Sequence, residues 1–339
     1  MLLMKIRLFV FIIKFCLLLL GSRIAYSDVM SLSPSLRLSP ISEIIHGEDN
    51  RLQTFESVDK EVIKLGEAVA LITNKSKLHH FNSNYYIFSA PSLGEKLNLC
   101  EGQRFKEEPT LGHCSGFLVE KDLFVTAGHC ITKEANSKDQ IERNCKRLRV
   151  VFNFNNEELR ENSRETGKTK TVKKQDVYRC EKVVGYHYKK TKFQLKDYAI
   201  IKLDRPVNKV TPLKIRKHGY PNENDKLMTI GHPLGIPQKV SNEARIFPFA
   251  KENDENFFSA FIKRRHIFYA NLDTFAGNSG SPVINEDTLK VEGIFLGGDE
   301  EDFIFEEDSW CRKAKTKPSE KKSVKEYVQR IKLIKKYLK

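Results

Sequence analysis

From about residue 60 onward the chain carries short apolar stretches separated by polar breaks. The clearest run over 68–73, 116–126, 149–154, 198–203, 227–230, 266–270, 281–284 and 291–296. Many are rich in β-branched or aromatic residues and are bounded by Gly, Pro, Asn or Asp, which predicts strands joined by turns. Helical periods are few, so the pattern predicts an all-β barrel or sandwich. Two polar segments interrupt it. Residues 157–175 are highly charged and predict a long exposed loop or hairpin, and the acidic run 299–308 predicts a second insertion. No internal repeat is present.

One helix is predicted, at the end of the chain. Ser323-Val324-Lys325-Glu326 has the form of a capping box, in which the serine hydroxyl and the glutamate each satisfy a free backbone N–H. Val324, Tyr327, Val328, Ile331, Ile334 and Leu338 follow at helical spacing, predicting a helix over 323–338 that docks its apolar stripe on the protein body. Lys325, Lys332, Lys335, Lys336 and Lys339 would face water.

The first 27 residues stand apart from this pattern. Lys5 and Arg7 precede an apolar run over 8–20 broken only by Lys14, and Ala25-Tyr26-Ser27 is a small-x-small site. This predicts a cleaved secretory signal peptide. The alternative, an uncleaved anchor, calls for about 20 apolar residues. Residues 28–43 are Ser/Pro-rich and read as a linker or pro-segment. The remaining six cysteines, Cys100, Cys114, Cys130, Cys145, Cys180 and Cys311, form an even set in an exported chain, which predicts up to three disulfides. No C-x-x-C pair supports zinc or thiol-redox chemistry.

With 339 residues, 40% of them hydrophobic, the chain is long enough to bury a substantial core. Its net charge of +14 is unevenly placed: residues 312–339 hold 12 Lys/Arg against 2 Asp/Glu, or +10. A basic tail can meet an anionic surface; the plainer reading is a solvated helix face. Specific nucleic-acid binding is not expected, and nothing in the sequence sets an oligomeric state.

Three segments carry candidate chemistry. Gly277-Asn278-Ser279-Gly280-Ser281-Pro282 places a serine on a glycine-permitted turn that can expose its hydroxyl and aim backbone N–H groups at a developing oxyanion. Val125-Thr126-Ala127-Gly128-His129-Cys130 ends an apolar run with a histidine among small residues, and a Cys114–Cys130 disulfide would brace its loop. Lys196-Asp197-Tyr198 opens a very apolar strand with an acid; Asp204, in Asp204-Arg205-Pro206, competes with it but reads as a turn residue. His79-His80 and His232 lack a third spaced ligand, so no metal is expected.

Taken in order, CSGFLVEKDLFVTAGHC, KDYAIIKLDRPV and DTFAGNSGSPV resemble the trypsin/chymotrypsin class of serine endopeptidases, whose chain order is His, Asp, Ser. The GNSGSP form is most similar to the bacterial secreted branch that includes the glutamyl endopeptidases. The resemblance spans roughly residues 44–338. It implies two antiparallel six-stranded β-barrels with a C-terminal α-helix: a first barrel over 44–205 holding His129 and Asp197, a second over 206–310 holding Ser279, and a basic segment over 311–339. It implies His129 as base, Asp197 as its orienting acid, Ser279 as nucleophile, and the Gly277 and Ser279 amides as oxyanion donors, with no cofactor and with protein or peptide substrates. It also pairs Cys114 with Cys130; Cys145–Cys180 and Cys100–Cys311 are expected for the rest.

Specificity is expected from the residues matching the pocket. Asp273, six before the nucleophile, would select Arg or Lys. Thr274, Phe295 and Gly297 would line the same pocket, Phe295 standing where glutamyl endopeptidases carry a histidine. Alternatives are glutamyl-type specificity, a capping role for Asp273 away from the pocket, or a non-catalytic binding or adhesion protein on a protease fold. Asn278 and the lack of an Ile-Val-Gly-Gly start give no support to activation by an N-terminal ammonium.

Overall fold

The computed structural model describes residues 45–132, 135, 137–161, 169–191, 194–223, 225–247, 265–298, 302–317 and 326–338. The signal peptide and the linker over 28–43 lie outside them. Twelve strands form two closed barrels. The first contains β1 (Val69–Asn74), β2 (Cys114–Leu118), β3 (Leu123–Thr126), β4 (Leu148–Val151), β5 (Val177–Thr191) and β6 (Gln194–Leu203), hydrogen-bonded in the cyclic order β5-β6-β3-β2-β1-β4. The second contains β7 (Lys226–Gly231), β8 (Lys239–Phe247), β9 (Ile267–Ala270), β10 (Pro282–Asn285), β11 (Val291–Gly297) and β12 (Tyr327–Arg330), in the cyclic order β7-β10-β11-β12-β9-β8. All of these pairings are antiparallel. This is the chymotrypsin-like double barrel.

Every apolar stretch singled out in the sequence is a barrel strand, the 116–126 stretch supplying two across a tight hairpin. Both faces of the first barrel's strands are covered: Phe117, Val125 and Ile200 share one face, Phe124 lies on the other, and all are fully buried. Leu227, Ile246, Phe268, Val283, Phe295 and Val328 form a core cluster in the second. The expected hairpin in the charged 157–175 region is present in part: Arg160–Glu161 pairs with Thr169–Lys173, which also pairs with Tyr85–Ser89. Two helices flank the first barrel. Lys60–Glu67 is capped by Asp59, and Lys138–Arg147 is capped by Ser137. All three disulfides join the expected pairs: Cys100–Cys311, Cys114–Cys130 and Cys145–Cys180. Among the described residues no helix is long and apolar enough to cross a membrane.

The end of the chain differs from expectation. Tyr327–Arg330 is a strand, and Ile331–Tyr337 is a 3₁₀ helix rather than part of an α-helix over 323–338; residues 323–325 lie outside the described set. The apolar stripe is nevertheless buried at Val328, Ile331 and Ile334. An i, i+3 spacing suits a 3₁₀ helix, with three residues per turn, as well as it suits an α-helix. Tertiary context decides for strand at 327–330, because β9 and β11 would otherwise face each other across an open seam of unpaired backbone. The second barrel therefore draws its last strand from the basic segment. It also takes an extra strand, Leu52–Gln53, from the N-terminal side, paired to β8.

Candidate active site

β3 runs out at Thr126, and Ala127-Gly128 leads into a short helix, His129–Thr132. A Cβ on Gly128 would lie 2.3 Å from the His187 carbonyl and 2.9 Å from Asp197 Oδ1. Only glycine lets this bend press against the strand carrying the acid. Asp197 lies near the start of β6 and is buried. Its Oδ1 accepts the His129 backbone N–H at 2.8 Å, and its Oδ2 accepts from the ring at Nδ1 at 2.6 Å. The carboxylate thus holds both the backbone and the imidazole of one residue. Asp204, the competing acid, is engaged elsewhere, accepting from the backbone N–H and Nε of Arg179.

Two neighbours of this pair were not evident in the sequence. Gln329, buried on β12, accepts the Asp197 backbone N–H at 2.8 Å and so ties the second barrel to the acid. Tyr188 sits opposite Asp197 in the β5–β6 register, its ring 6.3 Å from that of His129. The register shifts in β5 interrupt the two-residue alternation that would otherwise have marked Tyr188. Nothing local marks Gln329.

Ser279 occupies a turn between two residues of positive φ, Gly277 at +95° and Gly280 at +93°, a region that favours glycine. Its Oγ lies 3.1 Å from the Leu296 carbonyl. Its own carbonyl accepts the Ser115 N–H at 2.9 Å and lies 3.7 Å from the Cys130 sulfur, in the residue next to His129. The barrels therefore bring the serine turn and the histidine helix together. Ser115, on β2, was also missed in the sequence, where it reads as one more strand residue. Cys114, His129 and Cys130 cluster closely enough to suggest metal donors, but the Cys114–Cys130 disulfide consumes both thiols.

The expected specificity residues fall differently. Asp273 is 3% exposed and caps the chain's own N-terminal segment. Its Oδ1 accepts the His46 N–H at 2.7 Å and its Oδ2 the Asn50 N–H at 3.4 Å. With both oxygens so engaged, it is not a free carboxylate awaiting a substrate Arg or Lys, and the capping alternative describes it. Phe295 is fully buried in the second barrel's core rather than on a pocket wall. Its backbone braces the Ser279 turn, accepting the Gly280 N–H at 2.7 Å and donating to Ser281 at 2.9 Å. Thr274 is buried, its hydroxyl 3.4 Å from the Leu272 carbonyl, and Gly297 ends β11 at φ +143°.

Burial shapes the charges around the turn. It pushes the Asp273 carboxyl up to about 6, against the pull of the two amides and of Arg51. It pushes His232, fully enclosed, down to about 3, so this imidazole is neutral. It also lowers the Lys239 ammonium to about 8, against the opposing pull of Glu108, which bonds it at 2.7 Å.

Asp273 supplies a pH prediction. Its folded pKa of about 6 exceeds the ordinary 3.8, so between these values the folded state holds a proton that the unfolded chain has lost. Stability from this group is therefore full below about pH 4 and falls as pH rises to about 6, by roughly 3 kcal/mol. Asp273→Asn removes that titration. Urea unfolding at pH 4.5 and 7 is expected to show a smaller decline for the variant than for the parent, and equal declines would refute the assignment.

The double barrel, with its histidine–carboxylate pair beside a serine turn, has the architecture of a chymotrypsin-like peptidase. The family model described as a trypsin-like peptidase domain matches residues 114–294, more than half of the chain, and the protein belongs to that family. A comparison with curated proteins gave no match. Similar solved structures include a Glu endopeptidase in complex with MPD, at 15% identity and TM-score 0.45, covering 87% of this chain and 97% of that one. Another is the Rv3671c protease in its inactive form, at 15% identity and TM-score 0.43, covering 82% and 91%.

Proposed function

We propose that the protein is a serine endopeptidase, exported from the cell, with Ser279 as nucleophile, His129 as general base and Asp197 as the acid that orients it. The observation that carries this reading is the doubly bonded His129–Asp197 pair, at 2.8 and 2.6 Å, on the barrel wall that receives the Ser279 turn. The Nδ1–Asp197 bond directs Nε2 to accept a proton. Ser279 Oγ rests on the Leu296 carbonyl, so the reading calls for a side-chain rotation that turns it to the imidazole, and such bonds commonly tighten only with substrate bound.

In the proposed reaction Ser279 Oγ bonds to the peptide carbonyl carbon as its proton passes to His129 Nε2. The carbonyl oxygen becomes an oxyanion held by the Gly277 and Ser279 N–H groups. Its collapse breaks the C–N bond, and His129 returns the proton to the leaving amine. Water then repeats the attack, with His129 as base, and frees the acid and Ser279. The donor geometry has support in the turn. The Ala276 carbonyl accepts the Leu234 N–H. In a trans peptide C=O and N–H point to opposite sides, so the Gly277 N–H is turned away from Leu234. The amides of Asn278, Gly280 and Ser281 are taken by carbonyls of the protein.

The three disulfides support an oxidising, extracytoplasmic setting. The test of the whole reading is covalent labelling by a serine-directed phosphonate, expected for the parent and absent in Ser279→Ala. A parent that resists labelling and cleaves no peptide would instead be a binding protein on this fold.

A further inference from the structure

We propose that Ser115, a first-barrel residue, is a positioning residue that sets the oxyanion-binding peptide of the second barrel; this rests on the endopeptidase reading above. Ser115 is fully buried and makes three contacts across the interface. Its N–H donates to the Ser279 carbonyl at 2.9 Å. Its hydroxyl donates to the Gly277 carbonyl at 2.7 Å and accepts the His232 N–H at 2.9 Å. The hydroxyl has one proton, and these two bonds define its direction. The Ser115 carbonyl is in turn held by the Thr126 hydroxyl at 2.7 Å, just before the bend that leads to His129. One residue, through its hydroxyl and its backbone, thus links the Ser279 turn to the strand pair that leads to His129.

The consequence falls on Gly277. Two peptide planes meet at its Cα. The Ala276–Gly277 plane bears the oxyanion donor, and its carbonyl is fixed by Leu234. The Gly277–Asn278 plane is fixed at one end by Asn278 N–H donating to Phe275, at 3.0 Å, and at the other by the Ser115 hydroxyl. With both planes pinned, the φ of +95° at Gly277 has no freedom left, although glycine alone could take many values. The opposing wall is equally close. A Cβ on Gly277 would lie 2.7 Å from the His232 carbonyl, 2.8 Å from the Leu234 nitrogen and 3.0 Å from the Gly235 nitrogen. Leu234 itself is held at φ +55°, a strained value for a leucine, of the kind retained where surroundings over-determine a functional turn. Ser115 closes this bracket from the first barrel. Removing its hydroxyl orphans the buried Gly277 carbonyl and the His232 N–H and frees the plane next to the donor.

The effect belongs to the transition state, because an oxyanion donor bonds most strongly where charge develops. Ser115→Ala is expected to lower kcat roughly 10- to 100-fold, less than the 10²–10³ of outright donor loss. KM should stay within about twofold, and a peptide boronate should lose affinity by about the same factor as kcat. Ser115→Thr retains the hydroxyl and is expected to keep most of the parent's kcat. Rates are taken per phosphonate-titrated active site on a fluorogenic peptide the parent cleaves, so a misfolded fraction does not count. A purely structural role would lower the titratable fraction and leave kcat per site and boronate affinity unchanged, overturning the proposal. Equal losses in Ser115→Ala and Ser115→Thr would also overturn it, since packing and not the hydroxyl would then be responsible. A parent that the phosphonate fails to label would remove the endopeptidase reading, and this role with it; a labelled parent with an unaffected Ser115→Ala removes only the role of Ser115.

Discussion

Ser279→Ala is expected to remove about six orders of magnitude from kcat while leaving a folded protein. Only the Oγ is lost, and its contact in the resting state is the Leu296 carbonyl at 3.1 Å, a bond whose removal costs about 1 kcal/mol. The turn is held by its backbone: Ser279 O to Ser115 N–H, Gly280 N–H to Phe295, Ser281 N–H to Asn278. Catalysis, in contrast, loses the atom that forms the acyl-enzyme. What remains is binding and the two proposed oxyanion donors, which in comparable proteases leave about 10³–10⁴ over the uncatalysed rate. Steady-state turnover, an unfolding curve and phosphonate labelling on the same preparation check this. A variant within tenfold of the parent would displace Ser279 as nucleophile.

Asp197→Asn is expected to cut kcat by about 10⁴, again with the fold intact. The aspartate accepts two bonds from one residue, from the backbone N–H and from Nδ1 of His129. An asparagine has one acceptor oxygen and one NH₂. If its oxygen keeps the backbone bond at 2.8 Å, its NH₂ faces Nδ1, which must then accept. The ring proton moves to Nε2, where the base must be free to take the Ser279 proton. The loss is one of tautomer, so it appears in kcat while phosphonate-independent peptide binding is preserved. Gln329 still holds the backbone of residue 197, which keeps β6 in place. A rate near that of the parent would take Asp197 out of the proposed triad.

The three candidate segments are legible in the sequence because each is a local pattern. A short apolar run ending in Ala-Gly-His, an acid opening an apolar strand, and serine between glycines each follow from one stretch of chain, and their order pointed to the family. The strands it did not disclose have identifiable causes. β5 contains register shifts at Cys180/Lys182 and Val183/Gly185, which break the two-residue alternation that marks a strand. β8 holds Ser241-Asn242-Glu243 at its centre, with Glu243 at φ +61° and a shift opposite Leu227/Thr229. β12 has a stripe that fits a helix as well as a strand, and only the open seam between β9 and β11 decides for strand.

Specificity shows the same division. Counting six residues back from Ser279 identifies Asp273, but counting along the chain does not say which way a carboxylate points. The N-terminal segment, 227 residues away, supplies the His46 N–H that turns it into a cap. Phe295 reads as a pocket residue by alignment with a motif, yet its strand face belongs to the core with Phe268 and Val328. By itself, then, the sequence supplied the strand-rich pattern, the even set of six cysteines and the His, Asp and Ser candidates, whose order carries the resemblance that implies a double barrel; the Cys100–Cys311 bridge, spanning 211 positions, is fixed only by the fold. The tertiary structure alone decided what holds them: Ser115 reaching Gly277 over 162 positions and Gln329 reaching Asp197 over 132. Hydrogen bonds between residues so far apart in sequence leave no local periodicity to read, and exist only once the two barrels have closed and met.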